Sequence, residues 1–61
     1  MAGSEPPSGV VAGILKEEGD LLFRESKYVE AIAKYTEALR VGGDNAILYS
    51  NRSLCRFKLR Q

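Results

Sequence analysis

Apolar and polar positions follow a helical period along most of this chain. Between Tyr28 and Val41 the apolar residues Tyr28, Ala31, Ile32, Tyr35, Ala38 and Leu39 recur at the i, i+3, i+4, i+7 spacing of a single buried stripe. On the opposite side Glu30 precedes Lys34 by one helical turn, the order that favours an ion pair. Gly42-Gly43 ends this pattern, because glycine reaches the left-handed conformation that helix ends require, and Asp44 or Asn45 can cap the next helix. A preceding helix places Leu15, Gly19 and Leu22 on one face with Phe23 beside them. Gly19 inside that helix costs about 1 kcal/mol relative to Ala, which a closely approaching neighbouring helix would explain. A third helix carries Leu48, Tyr49, Cys55, Phe57 and Leu59 with basic residues between them. The pattern predicts helices near 12–25, 28–41 and 46–59, an all-α chain of three antiparallel helices without strands.

Before the first helix, MAGSEPPSG combines small polar residues with Pro6 and Pro7, a composition that cannot bury enough apolar surface to offset ordering. Residues 1–11 are therefore expected to be a disordered tail. The segment lacks the basic stretch and apolar run of a secretion signal, and Ala2 breaks the myristoylation pattern, so a cytoplasmic location and no membrane contact are expected.

Composition narrows the chemistry. The 61 residues are 44% hydrophobic with a net charge of +1, enough for one small domain with little surface to bury. Histidine is absent and Cys55 stands alone, which removes the usual zinc ligand sets, the usual base of a nucleophilic triad and any internal disulfide. No enzyme activity, metal or cofactor is expected, and Cys55 reads as a packing residue. The GGD stretch lacks the strand before it and the Lys-Ser/Thr after it that a phosphate loop needs. Asn51-Arg52-Ser53 is formally a glycosylation sequon, relevant only to a secreted protein. Arg52, Arg56, Lys58 and Arg60 form a basic run with no acidic residue after Asp44. Without a base-reading motif, nucleic acid is the least favoured partner, behind peptide binding and self-association.

Shifted by 34 residues, the chain aligns with itself: Ile14 meets Leu48, Leu15 meets Tyr49, Gly19 meets Ser53, Phe23 meets Phe57 and Arg24 meets Lys58. In the pattern W-x2-L-G-x2-Y, A-x3-F, P, Leu15 takes the first aromatic place, Gly19 the glycine, Leu22 the tyrosine, Ala31 the alanine and Tyr35 the phenylalanine. Ala38 matches a further small position. Glu18 and Gly43 depart from the pattern, standing for its leucine and its proline. On these residues the chain resembles the tetratricopeptide repeat family over about residues 12–61. The resemblance implies a full repeat at 12–45 and the first helix of a second at 46–61, with Leu15, Gly19, Leu22, Ala31, Tyr35, Ala38 and Tyr49 as packing positions. Such repeats bury their apolar faces only against neighbours, so the chain reads as an amino-terminal fragment or truncated product. Leu48, Cys55 and Leu59 are then expected to leave part of the third helix uncovered.

Leu15-Lys16-Glu17-Glu18-Gly19-Asp20 and Tyr49-Ser50-Asn51-Arg52-Ser53 are similar to the segments L-K-E-x-G-N and Y-S-N-R-[SA] of tetratricopeptide co-chaperones. In that subclass the first helices line a groove that holds the carboxylates of a peptide ending in Glu-Glu-Val-Asp, contributed by cytosolic heat-shock chaperones. The resemblance assigns Lys16 and Asn51 to this carboxylate clamp, where charge-assisted bonds contribute about 1.5–3 kcal/mol. Asp20 stands where the subclass has asparagine, so an anion faces the incoming carboxylate, and it lies one turn from both Lys16 and Arg24. The remaining lysine and arginine of the clamp come from a third repeat. The expected peptide affinity is accordingly low.

Overall fold

The computed structural model describes residues 8–61. Three helices, α1 (Ser8–Arg24), α2 (Tyr28–Arg40) and α3 (Asn45–Arg60), succeed one another through short turns, with no strand among the described residues. α1 packs on α2 and α2 on α3. The architecture is the all-α tetratricopeptide one, a helix-turn-helix hairpin and then the first helix of a second hairpin.

α1 begins at Ser8, so residues 8–11, expected in the tail, are helical; residues 1–7 lie outside the described part. Burial of Ala12 at 4% exposure supplies the reason. Once a turn is fixed against the rest of the molecule, extending a helix backwards adds one hydrogen bond per residue ordered.

Both helix ends that lead into turns close in the same way. After α2, Gly42 takes φ 96°, its N–H donates to Leu39 O at 3.1 Å, and the Gly43 N–H donates to Ala38 O at 2.9 Å. This is the Schellman closure, with glycine at the left-handed position. A proline at 43 has no N–H to give, which explains the departure from the repeat pattern. Gly43 also lies in a crowded place, where an added Cβ would sit 2.7 Å from Leu48 Cδ1 and 3.1 Å from Ala12 Cβ. After α1 the corresponding donors are Ser26 to Phe23 O at 2.9 Å and Lys27 to Leu22 O at 2.8 Å, but the left-handed residue is Ser26, at φ 63°. α3 then starts with Asp44 as its cap, the carboxylate accepting from the Ile47 N–H at 3.1 Å.

The core is formed by Ala12, Ala31, Tyr35, Ala38, Leu48 and Cys55, with Leu15, Leu22, Phe23, Tyr28, Ile32, Leu39 and Val41 packed around it. Gly19 is buried, and a Cβ there would come within 2.6 Å of the Tyr35 ring. The close neighbour that justifies this glycine is thus an aromatic ring lying against α1. Phe23 and Tyr28 close the turn between the first two helices, edge to face with centroids 5.2 Å apart.

Three expectations change at this level. Tyr49, expected to pack as Leu15 does, is 55% exposed, while its neighbour Leu48 is 1% exposed. Leu48 and Cys55, expected to be partly uncovered, are core residues; only Leu59 of that group is exposed, and the uncovered apolar surface of α3 also includes Ile47, Tyr49, Leu54 and Phe57. The cause is the neighbour available: α3 has α2 to pack on, so the side that turns toward α2 is buried, and a helix apolar on several sides offers Leu48 and Cys55 for it. Lastly, Lys34 pairs with Glu18 of α1 at 3.0 Å rather than with Glu30, joining the two helices instead of one helix to itself.

Candidate functional site

A hollow of about 260 Å³ opens between α1 and α3 over the middle of α2, lined by Asp20, Phe23, Arg24, Tyr35, Asn51 and Leu54. Its geometry derives from the core. Tyr35 is held against Gly19, which directs its hydroxyl to Asp20 one residue further along α1. α3, seated on α2 through Leu48 and Cys55, presents Asn51 and Leu54 on the other wall.

Asp20 is the best-connected polar group of the site. Its Oδ1 accepts the Tyr35 hydroxyl and its Oδ2 accepts from Lys16 Nζ at 2.7 Å. Burial opposes the charge on Asp20, but the hydrogen bonds from Lys16 and Tyr35 and the charges of Lys16 and Arg24 outweigh it and hold the carboxyl below its ordinary pKa. Lys16 is correspondingly raised, chiefly by its bond to Asp20. Burial and the Asp20 carboxylate push the Tyr35 phenol far up, so it stays protonated and acts as a donor; Asn51 opposes that shift. Cys55, beneath the site, is raised by burial and by Asp20 against the pull of Arg56, which makes it a poor nucleophile.

The structure therefore brings two of the three residues expected at a peptide site, Asp20 and Asn51, to one hollow. Lys16 is not among its lining residues: it borders a second hollow of about 240 Å³ near Ala12, Gly43 and Leu48, and reaches the first only through Asp20. Leu15 and Leu22 are partly buried against the core, and Gly19, Ala31, Tyr35 and Ala38 are fully packed, while Tyr49 is not. The sequence pattern marks Tyr35 as a packing residue alone and gives no sign that Phe23, Arg24 and Leu54 line the hollow. The signal for Tyr35 was its hydroxyl, since a buried phenol usually finds an acceptor.

No protein-family model matches the chain and no solved structure matches it. Among curated proteins it is 45% identical over 47 residues to sperm-associated antigen 1 of Rattus norvegicus, covering 77% of this chain and 5% of that protein. To mitochondrial import receptor subunit TOM34 of Rattus norvegicus it is 41% identical over 58 residues, 92% of this chain and 19% of the relative. To the Hsp70-Hsp90 organizing protein of Triticum aestivum it is 46% identical over 44 residues, 72% of this chain and 8% of the relative. The chain thus spans from 5% to 19% of the length of these relatives. Fold and relatives together define the class, an all-α tetratricopeptide repeat.

Proposed function

We propose that this chain is a peptide-binding tetratricopeptide module of the chaperone-adaptor type, acting in the cytoplasm without catalysis. Its hollow would take the acidic C-terminal segment of a heat-shock chaperone with low affinity. The observation that carries this reading is the placement of Asp20 and Asn51 on facing walls of one hollow with Lys16 bonded to Asp20. An ammonium and a side-chain amide are the donors a terminal carboxylate requires. The relative whose name pairs Hsp70 with Hsp90 supports the same partner class.

Asp20 explains why the affinity is low. Its carboxylate already takes the Lys16 ammonium that a ligand would need and places a negative charge beside the ligand's own. Calorimetry with a peptide ending in Glu-Glu-Val-Asp at low salt tests this. Asp20→Asn should bind more tightly than the native chain, because it frees Lys16 and removes the repulsion, and Lys16→Ala should abolish the gain. Tighter binding by the native chain than by Asp20→Asn would overturn the reading.

A further inference from the structure

Arg24 has a place in the hollow that neither the packing of the repeat nor the bonds around Asp20 account for. It is exposed in the last turn of α1 and lines the hollow with Asp20, Phe23, Tyr35, Asn51 and Leu54. Lys16 is not on that wall, so Arg24 is the one cationic side chain lining it. None of the side-chain hydrogen bonds and ion pairs among the described residues involves Arg24. The nearby carboxylates have other partners. Asp20, one turn back on α1, already accepts from Lys16 through Oδ2 and from Tyr35 through Oδ1. Glu25 pairs with Lys27 and Glu18 with Lys34, and Glu17 and Glu18 border Arg24 only across a shallower hollow of about 370 Å³. On the facing helix, α3, residues 45–60 include no aspartate or glutamate.

We propose that Arg24 is a specificity-determining residue of this hollow: its guanidinium receives a side-chain carboxylate of the bound peptide, while Lys16 and Asn51 serve the terminal one. The inference rests on the peptide-binding reading and adds to it a second acidic group in the ligand. Lys16 and Arg24 stand eight residues apart on α1, about 12 Å along the axis at roughly 1.5 Å per residue, so a single carboxylate does not serve both. The guanidinium fork meets a carboxylate through two parallel N–H bonds, and the apolar Phe23 and Leu54 on the same walls reduce competition from water. By engaging both oxygens of Asp20, Lys16 and Tyr35 keep that carboxylate from turning onto Arg24, which leaves the guanidinium for the ligand. A peptide with a free C-terminus but neutral side chains lacks the group that Arg24 reads.

NMR titration at about 0.05 M salt tests this with two peptides that share a free C-terminus, one ending in Glu-Glu-Val-Asp and the other in Gln-Gln-Val-Asn. Both are added to the native chain and to Asp20→Asn, the tighter binder of the two. Adding Arg24→Gln to Asp20→Asn should weaken the acidic peptide by roughly tenfold, the loss expected of a charge-assisted pair, and the neutral peptide by less than about twofold. The Arg24 Nε–H signal should shift with the acidic peptide and hold still with the neutral one. Arg40→Gln removes the same charge from an exposed position on α2, where Arg40 pairs with Glu37, and controls for the general field of the molecule. It should leave both affinities within about twofold. Equal losses from Arg24→Gln and Arg40→Gln, or equal losses for the two peptides in Arg24→Gln, would overturn the role of Arg24 and leave the peptide site standing. Binding of neither peptide by any of these chains, Asp20→Asn included, would overturn the peptide-binding reading and this inference with it.

Discussion

α1 and α3 occupy equivalent places in the repeat register, yet they bury different sides. Leu48 and Cys55 of α3 are 1% and 0% exposed, whereas their counterparts on α1, Ile14 and Leu21, are 55% and 53% exposed. In the other direction, Gly19 of α1 is buried under the Tyr35 ring and Phe23 packs at the turn, while their counterparts Ser53 and Phe57 are exposed. Both helices pack on α2, α1 as the helix before it and α3 as the helix after it. In this fold, position along the stack decides which side of a helix becomes core, and the residue types permit either choice.

The largest test of this difference compares Leu48→Ala with Ile14→Ala, changes at equivalent positions. Leu48 is fully enclosed, so its truncation should cost about 2–5 kcal/mol and release α3 from α2. Ile14 is exposed, and its truncation should stay within about 0.5 kcal/mol. Thermal unfolding monitored by circular dichroism measures both; equal effects would mean that α1 and α3 are buried alike.

Next in size is the pair Gly19→Ala and Ser53→Ala. At position 19 the new Cβ would lie 2.6 Å from the Tyr35 ring, so the ring must move and the substitution should cost about 1–3 kcal/mol despite alanine's better helix propensity. At position 53 nothing opposes alanine, and the melting temperature should hold or rise slightly. These two positions also show how far the sequence could be read. The unusual glycine signalled a close neighbour, and the stripe on α2 contained Tyr35, but the ring's direction depends on the packing of both helices. Existence and order of the helices, the glycine stop after α2 and a cap at Asp44 or Asn45 were legible because each rests on local chemistry; the structure selects Asp44. The burial of Leu48 instead of Tyr49 was not, because α3 has apolar residues on several sides and only its neighbour selects among them. In the site, Lys16, Asp20 and Asn51 were named through a family resemblance; the phenol that joins Asp20 to the core was visible only once Gly19 and Tyr35 stood together.

The turns that connect α2 to its two neighbours offer a smaller contrast. Gly42 fills the left-handed position after α2 at little steric cost, while Ser26 fills it after α1 at roughly 1–2 kcal/mol. Glycine at 26 would recover that cost less about 0.4–1 kcal/mol for the added freedom of the unfolded chain, a net gain of about 0.5–1 kcal/mol. Urea titration of Ser26→Gly should therefore show a later midpoint, and Gly42→Ser an earlier one. An earlier midpoint for Ser26→Gly would show that the weak 3.4 Å contact from the Tyr28 hydroxyl to Ser26 contributes more than the backbone strain.

The smallest effect distinguishes α1 from α3 by charge at the hollow, where Asp20 of α1 has Leu54 as its counterpart in the register. Asp20 is held below the ordinary aspartate pKa in the folded chain, so it contributes stability that is present above the unfolded value and is lost as pH falls through the folded one. Its partner Lys16 is about one-third exposed, which limits the pair to the range of partly solvated ion pairs, below about 1 kcal/mol. Acidification from neutral pH to below the usual aspartate range should loosen the contact of α1 with Tyr35 before it affects the packing of α3 on α2, since the one carboxylate at α3 is Asp44, which caps its exposed first turn and takes no part in that packing. Hydrogen exchange resolved by residue would show earlier deprotection around Gly19 than around Leu48. In Asp20→Asn the acid-dependent difference should shrink, and a difference of unchanged size would assign the acid sensitivity to another carboxylate, with Glu18, which joins Lys34 across the same two helices, the next to substitute.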